Sequence, residues 1–309
     1  MKNKFISLVL CLIVFLVPLE VFATETAPST KGTLTLTYSK EGVSFADLDI
    51  KIHRIAEIAD DGTFKKLSPY DSYPISLTDI SSQIEWAEIA TTFRGYIQAD
   101  AIEPYMVQKT DAEGNAVFSD IEKGLYLIEG LSVQENNYVY TFFDFMMTMP
   151  DSEGNNIITA KPKSDMNELT YKKNTYSVMN LWQDEGHSQN RPHSVSVDIL
   201  KDGKVSDSVI LNSTNNWRYT FETSDYESVF SVVERNVPKD YTVKITEKGT
   251  DFVIVNTLDK KDDSSSDTST MQTGDTSSMR FYMILFSIAG FALIILGFAM
   301  RRKDDAQQK

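Results

Sequence analysis

The strongest constraint on the fold lies between Thr175 and Asn256, where apolar and polar residues alternate in seven short runs. In the first run Tyr176, Val178, Asn180 and Trp182 share one face. Ser194–Leu200 (SVSVDIL), Val205–Leu211, Asn216–Phe221, Ser228–Glu234, Tyr241–Thr246 and Phe252–Asn256 follow. A period of two sends successive side chains to opposite faces of a strand, so each run predicts a strand with one buried face. Turn residues such as Lys201-Asp202-Gly203-Lys204 separate the runs. Seven short strands at this spacing predict an immunoglobulin-like β-sandwich. A Cys–Trp–Cys framework is ruled out, because the single cysteine is Cys11.

The preceding residues read as a second, looser β domain. Gly32–Tyr38 (GTLTLTY) and Asp49–Ile58 (DIKIHRIAEI) alternate, and Asp60-Asp61-Gly62 supplies a hairpin-type turn. Thr110–Asn115 predicts another turn, leading to strands at Ala116–Phe118, Gly124–Glu129 and Tyr138–Met149. Between them Leu77–Asp100 carries Ile80, Ile84, Ala87, Ile89, Phe93 and Ile97 at spacings of two to four, which predicts an amphipathic helical insertion or two short helices. The fold class expected is all-β: two tandem sandwich domains, at 32–163 and 164–258, the first with the insertion.

Both ends are of other kinds. Residues 1–23 have Lys2 and Lys4, the apolar run Phe5–Val17 and the exit Val21-Phe22-Ala23, the layout of a secretory signal peptide; an N-terminal membrane anchor is the alternative. Residues 24–31 form a polar leader. The run Phe281–Met300 carries no charge and reaches about 30 Å as a helix, one bilayer core. A transmembrane segment is therefore expected at 280–300, with a buried core helix as the alternative, and Arg301-Arg302-Lys303 opens a cytoplasmic tail at 301–309. Residues 259–279 begin with the Asp- and Ser-rich DKKDDSSSDTST, expected to be an extended linker. With its one cysteine inside the signal peptide, an exported chain must be stabilised by core burial or by a covalent device other than a disulfide.

A formal net charge of −14 repels nucleic acid and anionic lipid, and no basic patch interleaved with aromatics occurs. His53, His187 and His193 are scattered, with no HExxH, CxxC or EF-hand loop, so no metal or other cofactor is expected. No GxSxG, GxxxxGK[ST] or GxGxxG is present, and no catalytic residue is assigned.

The stretches NLWQDEGHSQNRPHSVSVDILKDGK, NNWRYTFE, FSVVERNVPKDY and FVIVNT resemble, in that order, the Cna-B type domain of Gram-positive surface proteins and pilins. GTLTLTY, TDAEGNAVFSDIEKGLYLIEG and AKPK resemble, more loosely, the pilin-like modules that accompany it. Many domains of this family join a lysine amine to an asparagine side chain, with a carboxyl group shuttling protons. The resemblance puts the asparagine at Asn256, the glutamate at Glu234 and the lysine at Asn180. A carboxamide nitrogen is delocalised and hardly nucleophilic, so the expectation is a hydrogen-bonded trio and no cross-link. In the first domain Tyr38 takes the lysine position and Glu129 the glutamate position, and no cross-link is expected there either. Lys163 in AKPK aligns with the pilin lysine that accepts a neighbouring subunit; a plain linker lysine is the other reading.

Met271-Gln272-Thr273-Gly274-Asp275, followed by the apolar run and the basic tail, resembles a sortase sorting signal of QTGD type, with cleavage between Thr273 and Gly274. The usual leucine–proline pair is replaced by Thr270-Met271, which leaves the class of sortase open. The implied function is a cell-wall-anchored adhesin or stalk. The alternatives are a pilin polymerised through Lys163 and Thr273, and a single-pass membrane protein. Implied partners are a sortase, peptidoglycan or a neighbouring pilin, and a host or matrix protein ligand. The implied location is the cell surface, with the precursor in the plasma membrane.

Overall fold

The computed structural model describes residues 31–169, 173–225 and 228–259, all within one compact unit. The expected signal peptide, the sorting motif at Met271–Asp275, the 280–300 span and the tail lie outside the described residues. Among the described residues no helix is long and apolar enough to cross a membrane.

The described residues are built from β-sheets and one α-helix. In the first half β1 (Lys31–Thr37) lies between β12 (Ile157–Ala160) and β7 (Asn115–Glu122). β2 (Ser39–Lys40) and β3 (Val43–Ser44) form a small ribbon. A second sheet runs β11 (Phe145–Met149), β8 (Gly124–Ile128), β4 (Asp49–Ile58), β5 (Phe64–Lys66), with β6 (Met106–Lys109) also on β4. A third runs β13 (Ser164–Glu168), β10 (Tyr138–Phe142), β9 (Leu131–Glu135). The pairing of β13 with β10 ties the strand just after Lys163 to the first half. The alternation in β1 buries Leu34 and Leu36 completely, and with Ile50, Ile52, Phe118 and Tyr126 they make one core.

Two turns share one mechanism. In Asp111–Asn115 and Asp151–Asn155 the aspartate Oδ1 accepts the N–H groups of residues two and four ahead, at 2.7–3.0 Å. The fourth residue of each, Gly114 (φ 85°) or Gly154 (φ 87°), takes the left-handed conformation that favours glycine.

In the second half β17 (Arg218–Thr223), β14 (Asn174–Gln183), β20 (Asp251–Leu258) and β19 (Tyr241–Lys248) form one sheet. β16 (Lys204–Asn212), β15 (Ser194–Lys201) and β18 (Phe230–Glu234) form the other. The first and last strands, β14 and β20, are parallel neighbours in register from Ser177↔Asp251 to Gln183↔Thr257. β1 and β12 are parallel neighbours in the same way.

One helix, α1 (Gln83–Ala99), occupies the predicted insertion. Ser82 caps it by accepting the Glu85 N–H, and Glu85 reaches back to the Ser81 N–H. Ile89, Phe93 and Ile97 are buried as the periodicity predicts, whereas Ile84, in the first turn, is exposed. The helix does not serve the first half alone. Its core cluster takes Ile55, Tyr70, Tyr73 and Leu127 from the first half and Val232, Val243 and Ile245 from the second. Polar contacts follow the same seam: Thr92 Oγ1 accepts the Ile245 N–H at 2.8 Å, Thr246 Oγ1 donates to Glu88 at 2.7 Å, and Arg235 pairs with Asp100 at 2.8 Å. The approach is close enough that a Cβ on Gly95 would stand 2.8 Å from the Val232 carbonyl oxygen.

The run Tyr138–Met149, predicted as one strand, is two strands in different sheets. The break falls at Phe143-Asp144, where the Gly130 N–H donates to Asp144 Oδ1 at 2.7 Å. Asp144 turns inward at this break to meet Arg94 of α1, which costs the strand its continuity.

Candidate functional site

Asn180 and Asn256 come from the adjacent strands β14 and β20, and Glu234 closes β18 in the facing sheet. The three meet across the core with Asn180 3% exposed and the other two fully buried. Asn180 Nδ2 donates to Glu234 Oε2 at 3.0 Å and Asn256 Nδ2 donates to the same oxygen at 2.8 Å. Asn256 Nδ2 also lies 3.2 Å from Asn180 Oδ1. The Tyr96 hydroxyl of α1 donates to the Glu234 backbone carbonyl at 2.7 Å.

Burial pushes the Glu234 carboxyl up to about 7, against the lowering effect of the two amides. Glu234 Oε1 and Asn256 Oδ1 are both buried without a hydrogen-bond partner. Two acceptor oxygens cannot satisfy each other. A proton on Oε1 supplies a donor, and Asn256 Oδ1 is the acceptor lacking one. Protonation of Glu234 turns one of these two unsatisfied acceptors into a donor. An amine is missing from the trio, so it can hold strands together but has no nucleophile with which to cross-link them.

In the first half Tyr38 and Glu129, the positions the resemblance implied, do not come together in such a trio. Tyr38 is buried with its hydroxyl unpartnered, and burial followed by the charge of Asp144 raises its pKa. Glu129 accepts from His53 Nε2 at 2.6 Å, and His53 Nδ1 lies 3.3 Å from the Tyr70 hydroxyl. Burial raises the Glu129 carboxyl, but the His53 hydrogen bond and charge, with Lys51 and Arg94 behind it, bring it below the ordinary value.

Sequence reasoning missed the buried ion cluster beside Glu129. Arg94 of α1 is 7% exposed. Its Nη2 donates to Glu247 of β19 at 2.7 Å. Its Nε lies 3.0 Å from Asp144 Oδ2, an ion pair off hydrogen-bond alignment. Burial pushes Asp144 up to about 6, outweighing Arg94 and the Gly130 N–H. The one signal was an arginine set in the apolar stretch Phe93–Ile97. A second missed pair pins the β14–β15 loop: Arg191 donates to Asp184 through Nε at 2.5 Å and Nη2 at 2.7 Å, and its guanidinium lies 5.8 Å from the Trp182 ring centre.

Lys163 is exposed, with its Nζ 3.4 Å from Gln83 Oε1 and its carbonyl accepting the Phe143 N–H at 3.0 Å. It differs from the trio in kind: a surface amine against a buried acid. His187 Nδ1 lies 2.9 Å from the Asp184 carbonyl oxygen. Among the described residues no group of His, Cys, Asp or Glu is arranged to hold a metal ion.

With this geometry in hand, residues 176–257 match the model of the Cna protein B-type domain. That segment is a Cna-B domain. No curated protein matches the chain. Solved structures similar to it include a single B repeat unit of the collagen-binding surface protein of Staphylococcus aureus, at 13% identity over 73% of this chain and 96% of that one, with a TM-score of 0.26. The full-length RrgB pilus protein of Streptococcus pneumoniae matches at 12% identity over 75% of this chain and 66% of that one, TM-score 0.24. The major pilin SpaD of Corynebacterium diphtheriae matches at 15% identity over 74% and 64%, TM-score 0.26. The chain thus spans about two thirds of the two pilins.

Proposed function

We propose that the chain is an extracellular surface protein of a Gram-positive bacterium that acts as a stalk or adhesin, anchored to the cell wall by a sortase at Thr273. The observation that carries this reading is the Cna-B domain at 176–257, standing just before an acidic linker, the Met271–Asp275 motif, an apolar run and a basic tail. The strand order suits a stalk. The chain enters along β14 and leaves along its parallel neighbour β20, so tension between the ends loads the whole ladder in shear, and its bonds must break together. No catalytic role is assigned. A host or matrix protein is the expected ligand class of the adhesin form.

Polymerisation as a pilin is the second reading. It is favoured by the exposure of Lys163 at the end of the first half. Mass spectrometry of the protein released from cell walls tests both. The stalk reading expects a single species whose C-terminal residue, Thr273, carries a peptidoglycan fragment. A ladder of linked copies that disappears in Lys163→Ala would replace it with the pilin. A chain still carrying residues 274–309 would overturn the sortase step in either form and leave a single-pass membrane protein.

A further inference from the structure

We propose that a proton on Glu234 ties β14 and β20 to the facing sheet, so that the second sandwich resists pulling more strongly when that proton is in place. The proposal rests on the stalk reading for its use in the cell, but its test does not depend on cell-wall attachment.

β14 and β20 are the two strands through which tension enters and leaves, and each contributes one amide to the trio. Both amides end on one oxygen of one carboxyl, on the opposite sheet. Asn256 and Glu234 are already joined through Nδ2 and Oε2, and these same two groups hold the two orphaned oxygens, Oδ1 and Oε1. A carboxylic acid facing a primary amide this way has a donor and an acceptor for each of its partner's. A carboxylate has acceptors only, and leaves both Oε1 and Asn256 Oδ1 buried without a donor. Removing the proton therefore takes the one added donor out of the load path and puts a charge in the core among neutral partners.

The surroundings keep that proton decisive. The elements packed against Glu234 bring Asn180 from β14, Asn256 from β20 and Tyr96 from α1, whose hydroxyl is committed to the Glu234 carbonyl. On β15 the residue opposite is Val197. The nearest cation along the chain, Arg235, is turned away to Asp100 and Asp198 at 2.8 and 3.1 Å. None of these groups offers a charge to stabilise the carboxylate. Asp144 and Glu88, the other acids that burial raises, lie at the helix seam, Asp144 with Arg94 and Glu88 with Thr246.

Single-molecule pulling of the full chain in detergent micelles, held by its two ends, tests this. Unfolding of the second sandwich is recognised by the length released by residues 174–258, roughly 29 nm at about 3.4 Å per residue. At fixed force the expected unfolding rate is at least ~10-fold slower at pH 5.5 than at pH 8.5, equivalent to about 1.4 kcal/mol. In Glu234→Gln, whose amide supplies a donor at every pH, the ratio should fall below ~2-fold, with the slow rate kept at pH 8.5. Equal ratios in the two proteins would overturn the proposal, as would a wild-type rate that does not change with pH. Isotope-edited infrared spectra give a readout independent of unfolding: wild type at pH 5.5 should show a buried carboxylic acid band that Glu234→Gln removes, and a band that is absent counts against the proposal.

Discussion

Glu129 and Glu234, one buried carboxyl from each half, meet opposite fates. Glu129 is met by His53 at 2.6 Å, with Lys51 and Arg94 nearby, and sits below the ordinary carboxyl range. Glu234 is met by two neutral amides and is pushed up to about 7. Burial acts upward on both, so the partners decide the sign. A glutamate beside cations works as a fixed charge. One among amides works as a proton carrier, and only the second can serve a reaction that moves protons. The second half keeps this environment and lacks the amine that would use it.

Supplying that amine breaks the contrast most drastically. Asn180→Lys places a primary amine in the trio beside Asn256 and the protonated Glu234. The expected product is an amide bond between the introduced lysine side chain and that of Asn256, read as an intact mass lower by one ammonia than the variant's sequence. Glu234→Gln added to it should abolish the loss.

The largest change in stability without new chemistry is expected at the seam. Arg94→Ala leaves the buried Asp144 without its cation, while Glu247 stays in reach of water, and removal of one partner from a buried pair costs about 3–5 kcal/mol. Urea unfolding should show that loss, and a variant within ~1 kcal/mol of wild type would mean that the seam holds without the cluster.

The two glutamates should next appear as opposite pH slopes. The folded chain binds the Glu234 proton more tightly than the unfolded chain does. The stability it contributes is full below the unfolded value of 4.5 and is lost as pH rises through about 7. At ~1.4 kcal/mol per unit this is on the order of 3 kcal/mol between pH 4.5 and 8. Glu129 runs the other way: its contribution is present above 4.5 and is lost as pH falls through its lowered folded value. Urea midpoints against pH should slope downward from mild acid to mild base in wild type. Glu234→Gln should flatten that slope chiefly between about pH 6 and 8, leaving at lower pH the part set by Asp144, which burial raises to about 6, and by Glu88, and Glu129→Gln should leave it.

The smallest effect tests the fit of the helix. Gly95→Ala forces a Cβ to within 2.8 Å of the Val232 carbonyl oxygen, and overpacking of this kind costs about 1–3 kcal/mol. Its urea midpoint should fall, with no change in the pH slope set by Glu234.

The second sandwich was legible because its seven runs are short, rich in strand formers and broken at turns such as Asp202-Gly203; period two holds in Arg218–Thr223 and Tyr241–Lys248, whereas Phe230–Glu234 is buried on both faces. The trio was legible for another reason: its three positions are recognisable against a family pattern even where one residue departs from it. Arg94 was not, because its partner Glu247 lies 153 residues away and no local pattern announces such a pair. The helix was predicted but its place was not. Its period shows one apolar face, whereas Phe93, Tyr96 and Ile97 serve a core drawn from both halves. The break at Asp144 was hidden inside an apolar stretch, TFFDFMM, that reads as one continuous strand.

The central claim is that the second half is held by a protonated acid and two amides, with no covalent bond between its first and last strands. The intact mass of the folded wild-type protein tests it most directly. The expected mass is that of the processed sequence with every side-chain nitrogen retained. A mass short by one ammonia, with Asn180 or Asn256 mapped to the cross-linked peptide, would contradict it.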